Sequence, residues 1–494
     1  MKNKVIVIGA GIGGMTSALL LASKGYDITI IEKNNAAGGR MRRIYHNDCV
    51  FDAGPSLITM PFILQDFIQS LGSGKQLSDY IDLLPIHPIC HYKWSDSSSL
   101  DFYTDKKSMH KALQEFSGTN AIQEFELYLA HAHKVYSATK DVFLFNPFDG
   151  FLEFFKTKNL PLLPQLPLLR FTKGFHDHNA SYFSEKKLIQ LFDRFATYNG
   201  SSPYKAPATL MVIPYIEWNY GGWYPKGGIY SIAETYVQLC NELGISIIYD
   251  TEVKKIHCNN GKAESVETSS GTLLKADYII SNSDVYHTRT KLLGRNSEKL
   301  PDLSSSGFVI LLAMKKNPFS MKHHTVLFSD DYQREFHEIF MEEIPPQNMT
   351  VYISVSSITD ATQAQGEKEN WFILVNTPSN TLNMQWNNDE QHFYAEKIFK
   401  QIDKYYPEFE AYIDGEPRYI SPKHFSEDFN ATGGSLYGSS SNSMFSAFLR
   451  PKNRDKKIKN LFYCGGSSHP GGGIPLVILS GQFAAKAIME SKNL

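Results

Sequence analysis

Cysteine is scarce in this chain. Five residues in 494 (Cys49, Cys90, Cys240, Cys258, Cys464) are odd in number and form no CxxC pair. That excludes a disulfide framework and a cysteine metal site, and it fits a reduced, cytoplasmic setting. A surplus of one charge is also missing. The 49 basic and 51 acidic residues leave a net charge of −2, which gives no electrostatic footprint for nucleic acid. Long unbroken hydrophobic runs are missing too. The nearest, residues 5–22 behind Lys2 and Lys4, holds Gly9, Gly11, Gly13 and Gly14 and is interrupted again by Thr16 and Ser17. A signal peptide or membrane span needs a more continuous run. The expectation is a soluble or peripheral protein, with more than one lobe at this length.

Glycine, by contrast, is concentrated at the two ends. Lys4-Val-Ile-Val-Ile8 has the pattern of a buried parallel strand. Gly9-Ala-Gly11-Ile12-Gly13-Gly14 follows, residues 15–24 read as a helix closed by Gly25, and residues 27–31 form a second strand ending at Glu32. Gly9, Gly11 and Gly14 fit GxGxxG, and Glu32 stands where a ribose hydroxyl needs an acceptor. Such glycines let backbone approach a pyrophosphate at a helix N-terminus. Near the other end, Leu461-Phe-Tyr-Cys464 enters Gly465-Gly466-Ser-Ser-His469-Pro470-Gly471-Gly472-Gly473-Ile474-Pro475, again strand, glycine loop and helix. Two such elements point to one large cofactor gripped from two sides.

A second glycine turn, Gly38-Gly39-Arg40, follows Glu32 and Lys33, and Phe51-Asp-Ala-Gly54-Pro55-Ser56-Leu57 is a third. Residues 72–220 change character. Phe143, Phe145, Phe148, Phe151, Phe154, Phe155, Phe171 and Phe175 crowd together, and Pro161, Pro164 and Pro167 forbid a long helix. Lys156, Lys158, Arg170 and Lys173 flank this apolar segment. It reads either as core of a helical lobe or as a surface dipping into a membrane. Arg194 to Thr209 is a dense turn signal. Residues 222–300 return to strand and helix patterns, with residues 252–256 alternating as a half-buried strand. Residues 301–415 mix strands with a helix near 391–405. His131 and His133 read as surface residues without further metal ligands.

Gly38-Gly39-Arg40 after the acidic strand end resembles the FAD-dependent amine oxidase and phytoene desaturase superfamily. The string through Gly465, Gly466, His469, Pro470, Gly471, Gly473 and Ile474 resembles the bacterial-type phytoene desaturases, the carotenoid desaturases, and Trp223-Tyr-Pro-Lys-Gly-Gly228 and Gly433-Gly-Ser-Leu-Tyr-Gly438 match as well. Ser468 stands where Thr is usual, and Gly472 where another small residue is usual. The resemblance covers nearly the whole chain.

It implies an α/β fold with a Rossmann-like FAD lobe (residues 1–71, 222–300 and 416–494). A discontinuous α+β substrate lobe (72–221 and 301–415) would complete it, with a helical, membrane-contacting subregion near 108–210. It implies FAD held by Gly9, Gly11, Ile12, Gly13, Gly14, Glu32, Lys33, Gly39, Arg40, Pro55, Ser56, Leu57, Val253, Asn282, Gly465, Gly466, Gly473, Ile474 and Pro475. Val253 would meet the adenine through its backbone. The implied activity is desaturation of a polyene, with hydride passing to the flavin. The string from Arg194 looks most like the 1-hydroxycarotenoid 3,4-desaturase branch, with Arg194 and Tyr198 as contacts to a substrate hydroxyl. Phytoene or diapophytoene desaturation, a redox-neutral isomerase or saturase, an amine oxidase and a prenyl-lipid escort like Rab GDP-dissociation inhibitors are the alternatives. His469 is the candidate proton-transfer residue, against a loop-fixing role. An apolar carotenoid and the inner face of the cell membrane are the expected partners; oxygen and quinone stay open as electron acceptors, and no metal is expected.

Overall fold

The computed structural model describes residues 2–148, 150, 164–170, 172–379, 384–443 and 450–491. Its organising layer is an all-parallel five-stranded sheet in the order Leu461–Tyr463, Tyr278–Ser281, Lys4–Ile8, Asp27–Ile31, Ser246–Ile248. Lys4–Ile8 is central, and Val5 to Ile8 are all buried. Parallel strands covered on both faces need this continuous apolar character. The first and last strands of the chain thus sit two places apart in one sheet, and their glycine loops leave the same edge.

The helices after those loops, Ile12–Ser23 and Ile474–Ser491, lie against each other. A Cβ on Gly481 would sit 2.3 Å from the Gly13 carbonyl oxygen and 2.7 Å from Thr16 Cβ. Glycine inside a helix costs about 1 kcal/mol relative to alanine, and here it permits that contact. Thr16 and Ser17, which interrupt the apolar run in sequence, turn their hydroxyls to the carbonyls of Ile12 (2.7 Å) and Gly14 (2.8 Å) and are fully buried.

A second, mixed sheet has the order Arg418–Ile420, Ser306–Met314, Glu369–Thr377, Val351–Val355, His324–Leu327, Cys90–Lys93, Ser99–Phe102. Its neighbours are antiparallel except His324–Leu327 with Cys90–Lys93. Ser306–Met314 is buried at every position. A third sheet joins Val253–Asn259, Lys262–Thr268 and Leu273–Lys275. The strict alternation expected over 252–256 is broken there. A register shift between Val253 and Lys255 leaves Lys254 and Lys255 both exposed, while Val253 and Ile256 stay buried. An extra residue in a bulge turns two successive side chains outward.

The helical region is present: Lys106–Ser117, Thr119–Thr139, Lys186–Asp193 and Val212–Tyr220 surround a core that includes Phe125, Tyr128, Phe183 and Phe192. The stretch with Phe151, Phe154, Phe155, Lys156, Lys158 and Pro161, read as core or membrane-dipping, lies outside the described residues, as does Phe171. Residues 164–169 form a short 3-10 turn. Among the described residues no helix is long and apolar enough to cross a membrane. His133 is exposed, whereas His131 is half-buried, bridging the Tyr182 hydroxyl (2.8 Å) and the Leu168 carbonyl (2.9 Å).

One ion pair anchors the approach to the C-terminal glycine loop. Asp455 accepts from both Arg295 Nη atoms (2.9 Å each), the Tyr463 hydroxyl (2.6 Å) and the amides of Lys457 and Ile458 (2.8 Å each). Burial works to raise its carboxyl, but Arg295, Tyr463 and the two amides outweigh burial and hold it well below the usual range. A depressed carboxyl gives stability that is full above its unfolded value and is lost as pH falls through the folded one, here below about pH 4. Asp455→Asn is therefore expected to lower the urea midpoint at neutral pH and to flatten its fall on acidification. An acid limb of unchanged steepness in the variant would refute this.

Candidate active site

Ligands of open α/β sheets sit beyond the carboxyl ends of the strands, and a cavity of about 360 Å³ lies there. Its walls include fifteen of the nineteen residues expected to grip a cofactor: Gly9, Gly11, Ile12, Gly13, Glu32, Lys33, Gly39, Arg40, Pro55, Val253, Asn282, Gly465, Gly466, Gly473 and Ile474. Gly14, Ser56, Leu57 and Pro475 do not line it. Gly14 serves packing, since a Cβ there would sit 2.4 Å from the Gly9 carbonyl oxygen. Ser56 turns its hydroxyl to the Tyr352 hydroxyl at 2.5 Å.

Asn282 joins the two glycine loops. Its amide nitrogen donates to the Ile8 carbonyl (2.9 Å), which places its side chain between them. A Cβ on Gly11 would lie 2.5 Å from Asn282 Nδ2; on Gly13 or Gly465 it would lie 2.9 or 2.7 Å from Oδ1. Three glycines far apart in sequence are thus glycine for the same neighbour. Glu32 is buried and accepts from the Ala10 amide (2.7 Å) on one oxygen, and from the Asn34 amide (2.9 Å) and Asn34 Nδ2 (3.1 Å) on the other. A carboxylate has about four lone-pair sites, so one remains for a ligand donor. Lys33 Nζ donates to the Glu427 carbonyl and to Asn430 Oδ1 (3.2 Å), tying the Glu427–Asn430 turn across this end.

Arg40 donates to the carbonyls of Leu436 and Ser435. Burial lowers its pKa, with Asp284 pulling the other way. The opposite wall is apolar: Val309, Phe372 and Leu374 come from the mixed sheet. Val309 pairs with Leu374 across adjacent strands, and Leu374 with Tyr352, so these side chains share one sheet face.

His469 does not line the cavity. Its ring stacks on Phe483 (5.7 Å between centroids), its Nε2 contacts the Asn146 carbonyl (3.0 Å), its amide donates to Pro451 and its carbonyl accepts from Asn453 Nδ2 (2.9 Å). These contacts fix the loop. Arg194 and Tyr198 are also absent from the cavity wall. Arg194 Nη1 donates to the Tyr92 hydroxyl (2.9 Å), Nη2 to the Tyr198 hydroxyl (3.5 Å), and Tyr198 donates to Glu217 Oε2. Glu217 Oε1 and His324 Nε2, both buried, have no hydrogen-bond partner among the described residues. Burial pushes Glu217 up against the pull of Arg194, and drives His324 well below its ordinary value, so His324 is neutral. From Ser56 through Tyr352 to His324 Nδ1 (2.8 Å) a bonded chain leads from the Pro55 turn into this group.

Sequence reasoning missed Asp284, Tyr437 and Arg450. Asp284 lines the cavity, accepts from the His287 amide (3.0 Å) and takes the Thr432 hydroxyl at 2.5 Å. Its place just after Asn282 at a strand end was the available signal. The Tyr437 ring packs where Cβ atoms on Gly472 or Gly200 would lie, 2.6 and 2.9 Å from ring carbons, which explains why position 472 holds glycine. Arg450 is buried, and burial pushes its pKa down to about 10; nothing in sequence separates it from a surface arginine. Among the described residues no group of three or more His, Cys, Asp or Glu is gathered for a metal.

The model of the flavin containing amine oxidoreductases matches residues 12–489. The 1-hydroxycarotenoid 3,4-desaturase of Flavobacterium sp. (strain P99-3) is 35% identical, over 98% of this chain and 99% of that protein. The 4,4'-diapolycopene oxygenase of Methylomonas sp. is 30% identical, over 99% and 98%. The crystal structure of an oxidoreductase from Methanosarcina mazei superposes with a TM-score of 0.64 at 15% identity, covering 99% of this chain and 100% of that one, a likeness of fold alone. By sequence over its whole length, the chain belongs to the flavin containing amine oxidoreductase family, in the FAD-dependent carotenoid desaturase group, and is an FAD-dependent oxidoreductase.

Proposed function

We propose that the chain desaturates a carotenoid, and more narrowly a 1-hydroxycarotenoid at its 3,4 bond. The observation that carries this reading is the cavity's two-sided lining: glycine loops and charge on one wall, the apolar face of Val309, Phe372 and Leu374 on the other. Full-length likeness to the Flavobacterium enzyme supports the narrower form.

FAD suits the cradle. The glycine backbones at 9–14, the spare acceptor site of Glu32 and the Arg40 guanidinium match an adenosine-pyrophosphate. The Gly465–Ile474 loop and the N-terminus of helix Ile474–Ser491 match the isoalloxazine end. Residues 1–71, 222–300 and 416–494 then form the cofactor lobe, and 72–221 with 301–415 the substrate lobe. FAD, when bound, supplies the acceptor for a hydride. The chain's own residues bind and align. The apolar sheet face holds a polyene in register and excludes water. Arg194 and Tyr198 contact an oxygenated substrate end, while His469 fixes its loop. A position beside the inner face of a membrane gives access to an apolar substrate.

The test is co-expression with defined carotenoid precursors and mass spectrometry of the pigments. A desaturase product loses two hydrogens for each bond formed. Unchanged mass would replace this reading with an isomerase, a gain of two hydrogens with a saturase, and added oxygen with an oxygenase.

A further inference from the structure

Arg450 is 8% exposed. Its Nη1 donates to the carbonyls of Tyr437 (2.8 Å) and Gly466 (3.1 Å), both residues of the cavity wall. Gly471 makes room for it: a Cβ there would lie 3.0 Å from Nε and 3.3 Å from Cδ. Among the described residues no carboxylate forms an ion pair with it, and Tyr437 is the only group opposing the effect of its burial. The two carbonyl oxygens serve Nη1, yet they leave a full positive charge in a nearly buried position. A buried cation without an anion costs several kcal/mol, so the fold either carries that cost or a ligand offsets it. The pyrophosphate end is already served by Arg40 and by the N-terminus of helix Ile12–Ser23. Arg450 is not itself in the cavity wall; it donates to the carbonyl of Gly466, a residue of the loop assigned above to the isoalloxazine.

We propose that Arg450 is an electrostatic residue whose counter-charge is the reduced isoalloxazine, so that it stabilises the reduced cofactor over the oxidised one. The inference rests on the reading that the Gly465–Ile474 loop holds the flavin ring. Its use is clear for a hydrocarbon donor. A C–H bond gives up hydride reluctantly, and a fixed cation behind the acceptor makes the acceptor stronger without touching the substrate.

The test compares holoenzyme with R450Q and R450K. Glutamine keeps an amide donor for the two carbonyls but no charge; lysine keeps the charge. Midpoint potentials come from anaerobic dithionite titration against a reference dye, and FAD affinities from titration of apoprotein in each redox state. For R450Q the expectation is oxidised FAD bound within about threefold of wild type and reduced FAD about 100-fold weaker. At about 30 mV per tenfold for a two-electron couple, that is a fall of about 60 mV. R450K recovers most of the potential. An unchanged potential in R450Q overturns the inference, as does an equal loss of affinity in both redox states, which would mark a pyrophosphate contact or a purely structural role. If R450Q purifies without FAD, the ratio of its two affinities decides by the same criterion.

Failure of the underlying reading has a different signature. A Cβ at Gly466 meets only ordinary contact, Gly472 Cα at 3.5 Å, and Gly466 lines the cavity. Gly466→Val is therefore expected to intrude on the cavity with the loop kept, a denaturant midpoint near wild type confirming the latter. A ring held there is expelled; FAD content and flavin spectrum unchanged in Gly466→Val would remove the reading itself.

Discussion

Gly14→Ala is expected to purify without FAD. Its added Cβ would lie 2.4 Å from the Gly9 carbonyl oxygen, 3.0 Å from Asn282 Cβ and 3.2 Å from Asn282 Cγ. The first of these is backbone and cannot swing away. Either helix Ile12–Ser23 moves off the loop or the loop moves off Asn282, and Asn282 also sets the spacing of Gly11, Gly13 and Gly465. Overpacking of this kind costs roughly 1–3 kcal/mol in stability. The effect on the cofactor is larger, because hydrogen bonds to a charged group are worth about 1.5–3 kcal/mol each. Losing two of them at about 1.4 kcal/mol per tenfold lowers affinity by about 100-fold or more. Gly244→Ala is the control. Gly244 has φ +68° and nothing within 4 Å of a Cβ, so it costs about 1 kcal/mol and leaves FAD content intact. Visible flavin absorbance per protein, with a denaturant midpoint for each variant, separates the two. A yellow, fully loaded Gly14→Ala protein would refute the assignment of this loop.

The second large effect belongs to the buried Arg194–Glu217 group. Glu217 is 1% exposed and Arg194 8%, with the rings of Tyr92, Phe195 and Tyr198 within 5.2–5.6 Å of the guanidinium carbon. Arg194 stays cationic beside Glu217, and the Tyr198 hydroxyl relays between them. Removing one partner leaves the other uncompensated, so Arg194→Met or Glu217→Gln alone is expected to cost about 3–5 kcal/mol. The double variant should cost well under the sum, because packing can replace a buried charge pair at little net expense. Urea unfolding of the four proteins at neutral pH gives the coupling. Singles within about 1 kcal/mol of wild type, with strict additivity in the double, would show that the pair carries no such energy. A substrate-contact role is tested separately: the same variants should discriminate less between hydroxylated and bare polyenes.

Much of this protein is legible from local pattern. Lys4–Ile8, its glycine loop, helix Ile12–Ser23 and the acid at position 32 follow one another within the reach of a single strand–loop–helix unit. Propensity and spacing dictate them in order. The same holds for Leu461–Tyr463 and the loop after it, and for Val351–Val355 and Glu369–Thr377, whose apolar runs match their burial in a sheet core. Resemblance added residues such as Val253 and Asn282, which do line the cavity. What stayed hidden depends on neighbours distant in the chain. The bulge at Val253–Lys255 answers to a partner strand. Gly472 is glycine for the ring of Tyr437, Gly471 for the side chain of Arg450, and Gly481 for the backbone at Gly13, none of which is near it in sequence.

The sequence by itself determined the strand–glycine–helix units and the acid at Glu32, and hence the expectation of a dinucleotide cradle closed from both ends of the chain. These rest on short-range rules: backbone freedom at glycine, periodicity, and the N-terminus of a helix. Only the tertiary structure decided that Asn282 joins the two loops, that His469 stacks on Phe483 away from the cavity, and that Arg194 and Arg450 are buried cations. Burial and electrostatic environment are properties of the packed surroundings, and the letter for an arginine or a histidine is the same in the core as on the surface.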